Sequence, residues 1–245
     1  MTRKQTHKQS TSGAASPNKA SSRKSSSGEK VVDPLEDVRA KILAHALPDV
    51  PFDGWTGAVM LRAARDAGID HGLARLAFPN GARDLAEYFL HDGDRRMIDA
   101  LALSDLKVMK IREKITFAVR TRLEIDLENR EALRRATFAL LVPPASGSAA
   151  KCLYNTVDAI WVAIGDTSTD YNFYTKRATL AGVFGAVLTF WFSDESDGFA
   201  ETWSFLDRRI ADVMQIEKIK ASVNKVRSRL PDPLSLLAKL RYRAG

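Results

Sequence analysis

The sequence predicts an all-α protein, on three observations. Apolar residues recur at intervals of three and four along most of residues 34–217, which is the spacing of one face of an α-helix. Capping residues, glycines and prolines divide this pattern into segments of helical length. No stretch alternates apolar and polar residues in the way that is typical of a strand. With 45% apolar residues among 245, the chain can also bury a substantial core.

Charge is distributed unevenly along the chain. The net charge is +7, but residues 1–30 carry seven Lys or Arg against one Glu, and residues 218–245 carry eight against one Asp. The region between them holds 22 basic and 28 acidic residues. An acidic body is poorly suited to the phosphates of nucleic acid, so DNA is an unfavoured partner. The basic ends suit an anionic surface instead.

Residues 1–32 are predicted to be a disordered basic tail, because Ser, Thr and Lys dominate and almost nothing in it can be buried. The composition is similar to that of an organellar transit peptide, but residues 1–30 lack the Leu, Ile and Phe of an amphipathic helix. No signal-peptide core or spanning segment is evident. We therefore expect a cytoplasmic protein, peripheral to the inner membrane of a bacterium. The alternative is the matrix face of the mitochondrial inner membrane.

Three helices are predicted in an N-terminal subdomain, residues 33–80. Asp33 and Pro34 begin the first helix, Thr56 caps the second, and Asp70 precedes the third. The predicted bounds are 34–47, 57–67 and 71–78. The second and third helices, joined by a turn that contains glycine, make a helix-turn-helix pattern.

This pattern resembles the helix-turn-helix of the tetracycline-repressor family. The matching features are Ala63-Ala64, the turn Ala67-Gly68-Ile69, Gly72-Leu73 and Phe78. A recognition helix needs side chains that reach base edges, whereas this one offers His71 and Arg75 with three aspartates nearby. The resemblance implies a tetracycline-repressor-like helical bundle with a degenerate helix-turn-helix. A ligand-responsive transcription regulator of the same fold is the alternative function.

Residues 81–217 are predicted to form the helical body. Its helices are expected at 82–103, with a kink at 91–94, and at 107–127, 130–142, 148–164, 178–192 and from 199 onward. Three of the four tryptophans fall on the last three helices. A bundle this aromatic can accommodate an apolar ligand, although the same side chains can equally form an ordinary core. The candidate ligand-lining residues are Phe138, Trp161, Leu180, Phe184, Leu188, Trp191 and Trp203.

The most distinctive motif is GDTSTDYNFYTKRATLA, residues 165–181, which leads directly into an apolar segment that ends at Phe192. Together with Gly54-Trp55 and with DGFAETWSFLDRRI, residues 197–210, it resembles the Coq-nine family of accessory proteins of ubiquinone (coenzyme Q) biosynthesis. The similarity covers roughly residues 36–217. One departure is Phe173, which stands where many relatives carry Trp.

The resemblance implies a protein without catalytic activity or a cofactor. Such a protein holds a ubiquinone precursor or other isoprenoid lipid and assists the demethoxyubiquinone hydroxylase, a separate di-iron enzyme. Carried over by position, the surface that meets the hydroxylase would comprise Asp170, Asn172, Phe173, Tyr174, Lys176 and Arg177. From the residues alone, the same stretch can be read as a capped helix N-terminus whose aromatic side chains pack inward. The resemblance to the tetracycline repressors, which often pair through their last two long helices, implies a homodimer.

Residues 218–245 are predicted to be a basic amphipathic segment. Apolar residues recur on one side, with Lys and Arg mostly on the other. The candidate membrane-binding residues are Ile219, Val223, Val226, Leu230, Leu234 and Leu237. A segment of this kind lies in the interface of an anionic membrane. The alternative is a segment that packs on its own body or on a second copy of the chain.

No catalytic or metal-binding set is predicted. A di-iron bundle needs paired Glu-x-x-His motifs, but Glu87 and His91 are four residues apart and have no second copy. Cys152 is alone in an apolar helical pattern, which is typical of a small core residue. No triad order, phosphate-binding loop or Cys/His cluster is present either. We therefore expect neither an enzyme nor a metal protein.

Overall fold

The computed structural model describes residues 33–143, 146–167 and 171–227, except for the side chains of Ser146, Tyr171 and 216–227. The helices belong to a compact unit that begins at Pro34. This part of the chain contains ten α-helices and no strand, which confirms the all-α class. They are α1 Glu36–Ala46, α2 Val50–Asp53, α3 Gly57–Asp66, α4 His71–Ala77, α5 Ala82–Ala102, α6 Ile111–Glu124, α7 Arg130–Leu141, α8 Ser146–Ala163, α9 Tyr171–Trp191 and α10 Ala200–Arg227.

The predicted helix-turn-helix is confirmed, with its caps. The Thr56 hydroxyl accepts a hydrogen bond from the Val59 amide at 3.3 Å, and the Asp70 carboxylate accepts one from the Gly72 amide at 2.7 Å. α2 was not predicted, because a four-residue helix is too short for the apolar spacing to repeat. α1 begins at Glu36 rather than at the predicted Pro34.

Three details of the body differ from the prediction. α5 is one continuous helix through residues 91–94. α6 begins at Ile111 rather than at residue 107. At this start, the Glu113 carboxylate accepts a hydrogen bond from the Lys110 amide at 2.9 Å. α9 begins at Tyr171 rather than at residue 178, so most of the polar part of the motif is helical.

α5 packs against α1, α3, α6, α7 and α8 and lies at the centre of the bundle, while α8 packs on α9 and α9 on α10. The largest fully buried side chains include Phe78, Phe89, Leu101 and Trp191. Trp55 joins the N-terminal helices to the body, since its indole nitrogen donates to the Ala132 carbonyl at 3.0 Å. One continuous core therefore connects the N-terminal helices with the body.

A buried ion-pair network connects α5, α6 and α8. The guanidinium of Arg122, which is 2% exposed, contacts Asp94 at 2.8 Å and Asp126 at 2.6 Å. The Thr156 hydroxyl also donates to Asp94, at 2.9 Å. Burial raises the pKa of Asp94 above its usual range, although the charge of Arg122 opposes that change.

The same guanidinium explains a glycine in the middle of α5. A Cβ atom at Gly93 would lie 2.6 Å from the guanidinium carbon of Arg122, which is closer than any van der Waals contact permits. Glycine in a helix interior is unfavourable by about 1 kcal/mol relative to alanine. Close passage of a buried charge accounts for its presence here.

We predict that Arg122→Met lowers the free energy of unfolding by about 3 to 5 kcal/mol, because it leaves the buried Asp94 without its cation, whereas Asp126 keeps its contact with Arg96 at 2.6 Å. The matched control is Arg120→Met on the same helix, which removes an exposed pair with Glu124 and a cation–π contact with Trp203 at 4.7 Å and should cost about 1 kcal/mol. Urea unfolding followed by circular dichroism measures both. Equal costs for the two variants would contradict the account.

Candidate functional site

The candidate site is the junction between α8 and α9. Two residues after the end of α8 at Ala163, Gly165 adopts the left-handed conformation, with a φ of 87°. The Asp166 amide donates a hydrogen bond back to the Trp161 carbonyl at 2.9 Å. This is the hydrogen bond of a Schellman-type helix end, for which glycine is the favoured residue. The turn places Asp166 next to the first turns of α9.

A second ion-pair network holds the junction together. Arg177, on α9, contacts Asp158 of α8 at 2.6 Å and Asp166 at 3.3 Å. Lys176 contacts the other oxygen of Asp166 at 2.7 Å. Arg177 and Asp166 are almost fully buried, so each charge depends on its partner. The start of α9 is therefore fixed to the end of α8.

Not all predicted partner-binding residues lie at the surface. Asn172 is exposed and Tyr174 is 68% exposed, whereas Phe173 and Lys176 are half-buried. Arg177 was expected at the surface, but it is 4% exposed and its guanidinium carbon lies 3.4 Å from the centre of the Phe173 ring. Asp170 lies outside the described residues. We use "junction patch" for Asn172, Phe173, Tyr174 and Lys176.

Below this patch lies an apolar cavity of about 230 Å³, the junction cavity, enclosed by α6, α8, α9 and α10. Asn172 and Lys176 line it as well as belonging to the patch. Trp161 is 6% exposed, and its indole nitrogen has no hydrogen-bond partner among the described residues. The remaining lining residues are Ile111, Arg112, Ile115, Thr175, Thr179, Leu180, Val183, Ile210, Val213 and Met214.

A second cavity of about 370 Å³, the Cys152 cavity, is enclosed by α5, α6, α7, α8 and α9. Its lining is mainly apolar and includes Leu90, Leu133, Leu140, Leu153, Phe184 and Leu188, with Arg122, Thr137, Thr156 and Thr189 as polar groups. Ligand cavities in proteins are commonly about 300 to 1,000 Å³ and have this kind of lining. Cys152 is 4% exposed, and burial raises the pKa of its thiol to about 11.

The predicted ligand-lining residues divide between several places. Trp161 and Leu180 line the junction cavity, and Phe184 and Leu188 line the Cys152 cavity. The other three line neither. Sequence reasoning did not identify the contributions of α6 and α10, because an apolar helical stripe looks the same whether it faces a core or a cavity.

Phe138, Trp191 and Trp203, which line neither cavity, make other contacts. Trp191 is fully buried, with Arg130 5.2 Å above its ring, and Phe138 is 49% exposed and packs on Phe192. Trp203 donates to the Gly198 carbonyl at 2.9 Å. Of the membrane-binding candidates, Ile219, Val223 and Val226 belong to α10 but their side chains are not described, and Leu230, Leu234 and Leu237 lie outside the described residues.

Within the described ranges, no group of three or more His, Cys, Asp and Glu side chains is placed to hold a metal ion. None of the helices in those ranges has the length and hydropathy to cross a bilayer.

We predict that Arg177→Met lowers the free energy of unfolding by about 2 kcal/mol or more, because the buried Asp166 keeps only Lys176 as a cation and Asp158 loses its contact with Arg177. Hydrogen exchange should also become faster in the first turns of α9. Arg65→Met, which removes an exposed pair on α3, serves as the control and should cost about 1 kcal/mol or less. Unchanged exchange in α9 would show that the network does not hold the junction.

We predict that the Cys152 thiol reacts with iodoacetamide about a hundredfold or more slowly than a free cysteine at pH 8, because the thiolate is the reactive form. The rate should rise about tenfold per pH unit towards the pKa of about 11. Mass spectrometry of the alkylated folded chain measures it. A rate that levels off near pH 9 would contradict the burial argument.

Comparisons with known proteins agree with this architecture. A family model described as COQ9 matches residues 146–217, from the start of α8 into α10. The chain is 32% identical over 188 residues to the rat "Ubiquinone biosynthesis protein COQ9, mitochondrial", covering 74% of this chain and 60% of that protein. The human protein of the same name is 30% identical over 188 residues, with 74% and 59% covered. The chain thus spans about three fifths of the length of these relatives.

A solved structure supports the fold. The TetR transcriptional regulator from Nitrosomonas europaea ATCC 19718 is similar with a TM-score of 0.59 at 18% identity, over 72% of this chain and 97% of that one. The predicted tetracycline-repressor-like bundle is therefore confirmed at the level of the fold. The family match and the relatives confirm the predicted resemblance to the COQ9 family, and the solved structure shows that the chain folds like a TetR regulator.

Proposed function

We propose that the chain is a non-catalytic accessory protein of ubiquinone biosynthesis, which holds a ubiquinone precursor or another isoprenoid lipid and presents it to the demethoxyubiquinone hydroxylase. The names of the relatives support the pathway. The observation that carries the proposal is that α9 lines two apolar cavities and also presents the junction patch.

The cavities suit a long apolar molecule with few polar atoms. Leu180 and Val183 of α9 face the junction cavity, and Phe184 and Leu188 face the Cys152 cavity. At about 100° per residue, the two pairs are centred about 90° apart and lie on adjacent faces of α9. An isoprenoid chain fits cavities with such linings, because burying its apolar surface is favourable in free energy and it needs no hydrogen bonds.

The junction patch suits a protein partner. Tyr174 is a large, exposed side chain on a helix whose position is fixed by buried ion pairs, and rigid aromatic side chains carry much of the energy of interfaces. Asn172 and Lys176 belong both to the patch and to the junction cavity. A partner bound at the patch would therefore contact the residues that contact the lipid.

The alternative function, a transcription regulator, has the fold in its favour but not the surface of α4. Leu73 and Leu76 are exposed on this helix beside His71 and Arg75. Apolar side chains on a recognition helix contribute little to phosphate or base-edge contacts. DNA binding therefore has less support than the accessory role.

The relatives also bear on location and assembly. Their names place them in mitochondria, which agrees with the alternative from the sequence and gives no support to the bacterial location. We therefore propose the matrix face of the mitochondrial inner membrane. We also propose a homodimer, as the resemblance to the repressors implies. We further propose that residues 218–245 contact anionic lipid, since a basic segment of that composition is attracted to such a surface.

Val183→Trp should reduce the lipid that co-purifies with the chain, because the larger side chain fills the junction cavity. The control is Val162→Trp, which adds the same side chain at a position that is 61% exposed. Native mass spectrometry and lipid extraction measure the bound molecules. A chain that purifies without lipid and binds operator DNA in a salt-dependent manner would support the regulator instead.

Tyr174→Ala should weaken binding to the hydroxylase by about tenfold or more, while helicity stays unchanged. Tyr154→Ala is the matched control, because Tyr154 is 45% exposed on α8 and lies outside the junction patch. Pull-down and titration against the purified hydroxylase give the two affinities. Equal affinities in the two variants would contradict the assignment of the patch.

A further inference from the structure

The connection between α5 and α6 exposes apolar side chains that the proposed lipid and partner sites do not explain. Leu103 is 91% exposed, Val108 is 78% exposed and Ile111 is 46% exposed. Single exposed apolar residues are normal on a protein surface, but three within nine residues are not. We use "α5–α6 edge" for residues 103–114.

The same edge is basic. Lys107, Lys110 and Arg112 are exposed, and Lys114 is half-buried. The two acidic residues of the edge are used locally, since Asp105 and Glu113 accept hydrogen bonds from the backbone amides of Lys107 and Lys110. No ion pair of Lys107, Lys110 or Lys114 occurs among the described residues, and Arg112 reaches Glu113 only at 4.0 Å. Positive charge here is therefore available to an external anion.

The combination of exposed aliphatic side chains and lysines is the one that binds an anionic lipid surface. Phe52 provides a contrast within the same molecule. It is 83% exposed on α2, but its neighbours in the chain include Asp49 and Asp53, whose carboxylates pair with Arg62. An anionic membrane would repel that surface and attract the α5–α6 edge.

The edge is also continuous with the junction cavity. Ile111 and Arg112 belong to the edge and line the cavity, opposite Val213 and Met214 of α10. α10 continues to Arg227 and so includes the first part of the basic segment 218–245. Ile111 and Arg112 are therefore residues that an anionic surface and a ligand in the cavity can both contact.

We propose that the α5–α6 edge lies on an anionic membrane surface, with Leu103, Val108 and Ile111 entering the headgroup region and Lys107, Lys110 and Arg112 contacting lipid phosphates. The mouth of the junction cavity then opens at the bilayer. The inference rests on the proposed function for the lipid in the cavity, and on the edge's own residues for the membrane contact.

The test uses the full chain in the Cys152→Ala background, with Val108→Cys labelled by the fluorophore NBD. On phosphatidylcholine vesicles that contain phosphatidylglycerol, the NBD emission should increase and shift to the blue. Phosphatidylcholine alone should leave it unchanged. The same label at Phe52→Cys, an equally exposed position, should not respond to either vesicle.

A charge variant tests the electrostatic part. Lys107→Glu with Lys110→Glu should reduce co-sedimentation with the anionic vesicles by about tenfold or more. Arg65→Glu with Arg75→Glu is the control, because it changes the net charge equally on exposed positions of α3 and α4. Equal losses in the two double variants would overturn the proposal, since only the net charge would then matter.

Other outcomes are separable. A silent label at position 108 on a chain that still co-sediments would show that another segment, such as 218–245, makes the contact alone, and would overturn the inference. A label that responds to protein concentration without vesicles would assign the edge to a second copy of the chain and overturn it equally. Lipid extraction of the unaltered chain tests the proposed function separately, because a chain that lacks bound lipid fails that proposal whatever the label reports.

Discussion

The buried contact of Arg177 with Asp158 and Asp166 is the constraint on which the candidate site depends. Removing these charges from water is costly, and the cost is offset only when all partners are in place with close geometry. The end of α8, the turn at Gly165 and the start of α9 therefore adopt one arrangement together. That arrangement sets the wall of the junction cavity and the direction in which the junction patch faces.

The ion-pair network lies beside the junction patch, which has a consequence for the proposed function. Lys176 shares Asp166 with Arg177, contacts the cavity and lies 5.3 Å from the centre of the Trp161 ring. In the proposed function, a lipid in the cavity and a protein on the patch meet the same few side chains. Coupling between the two ligands would then be direct, and thermodynamic linkage requires that each change the affinity of the other equally.

Sequence reasoning was successful where the physics is local. Caps at Thr56 and Asp70, helix-length apolar patterns and the motif at residues 165–181 predicted the helices, the fold and the resemblance to the COQ9 family, while the site residues stay a prediction. It was unsuccessful where partners are distant in the chain. The buried Arg177 contacts Asp158, which lies 19 residues away, and the assignment of Trp191 to core rather than cavity depends on packing.

The most direct measurement of the central claim is a structure of the chain bound to the demethoxyubiquinone hydroxylase with its lipid retained. The account predicts Tyr174 in the interface, Arg177 still paired with Asp158 and Asp166, and lipid in the junction cavity within contact of Asn172 or Lys176. A complex in which the hydroxylase binds a different face, or in which Arg177 leaves its carboxylates to meet the partner, would contradict it.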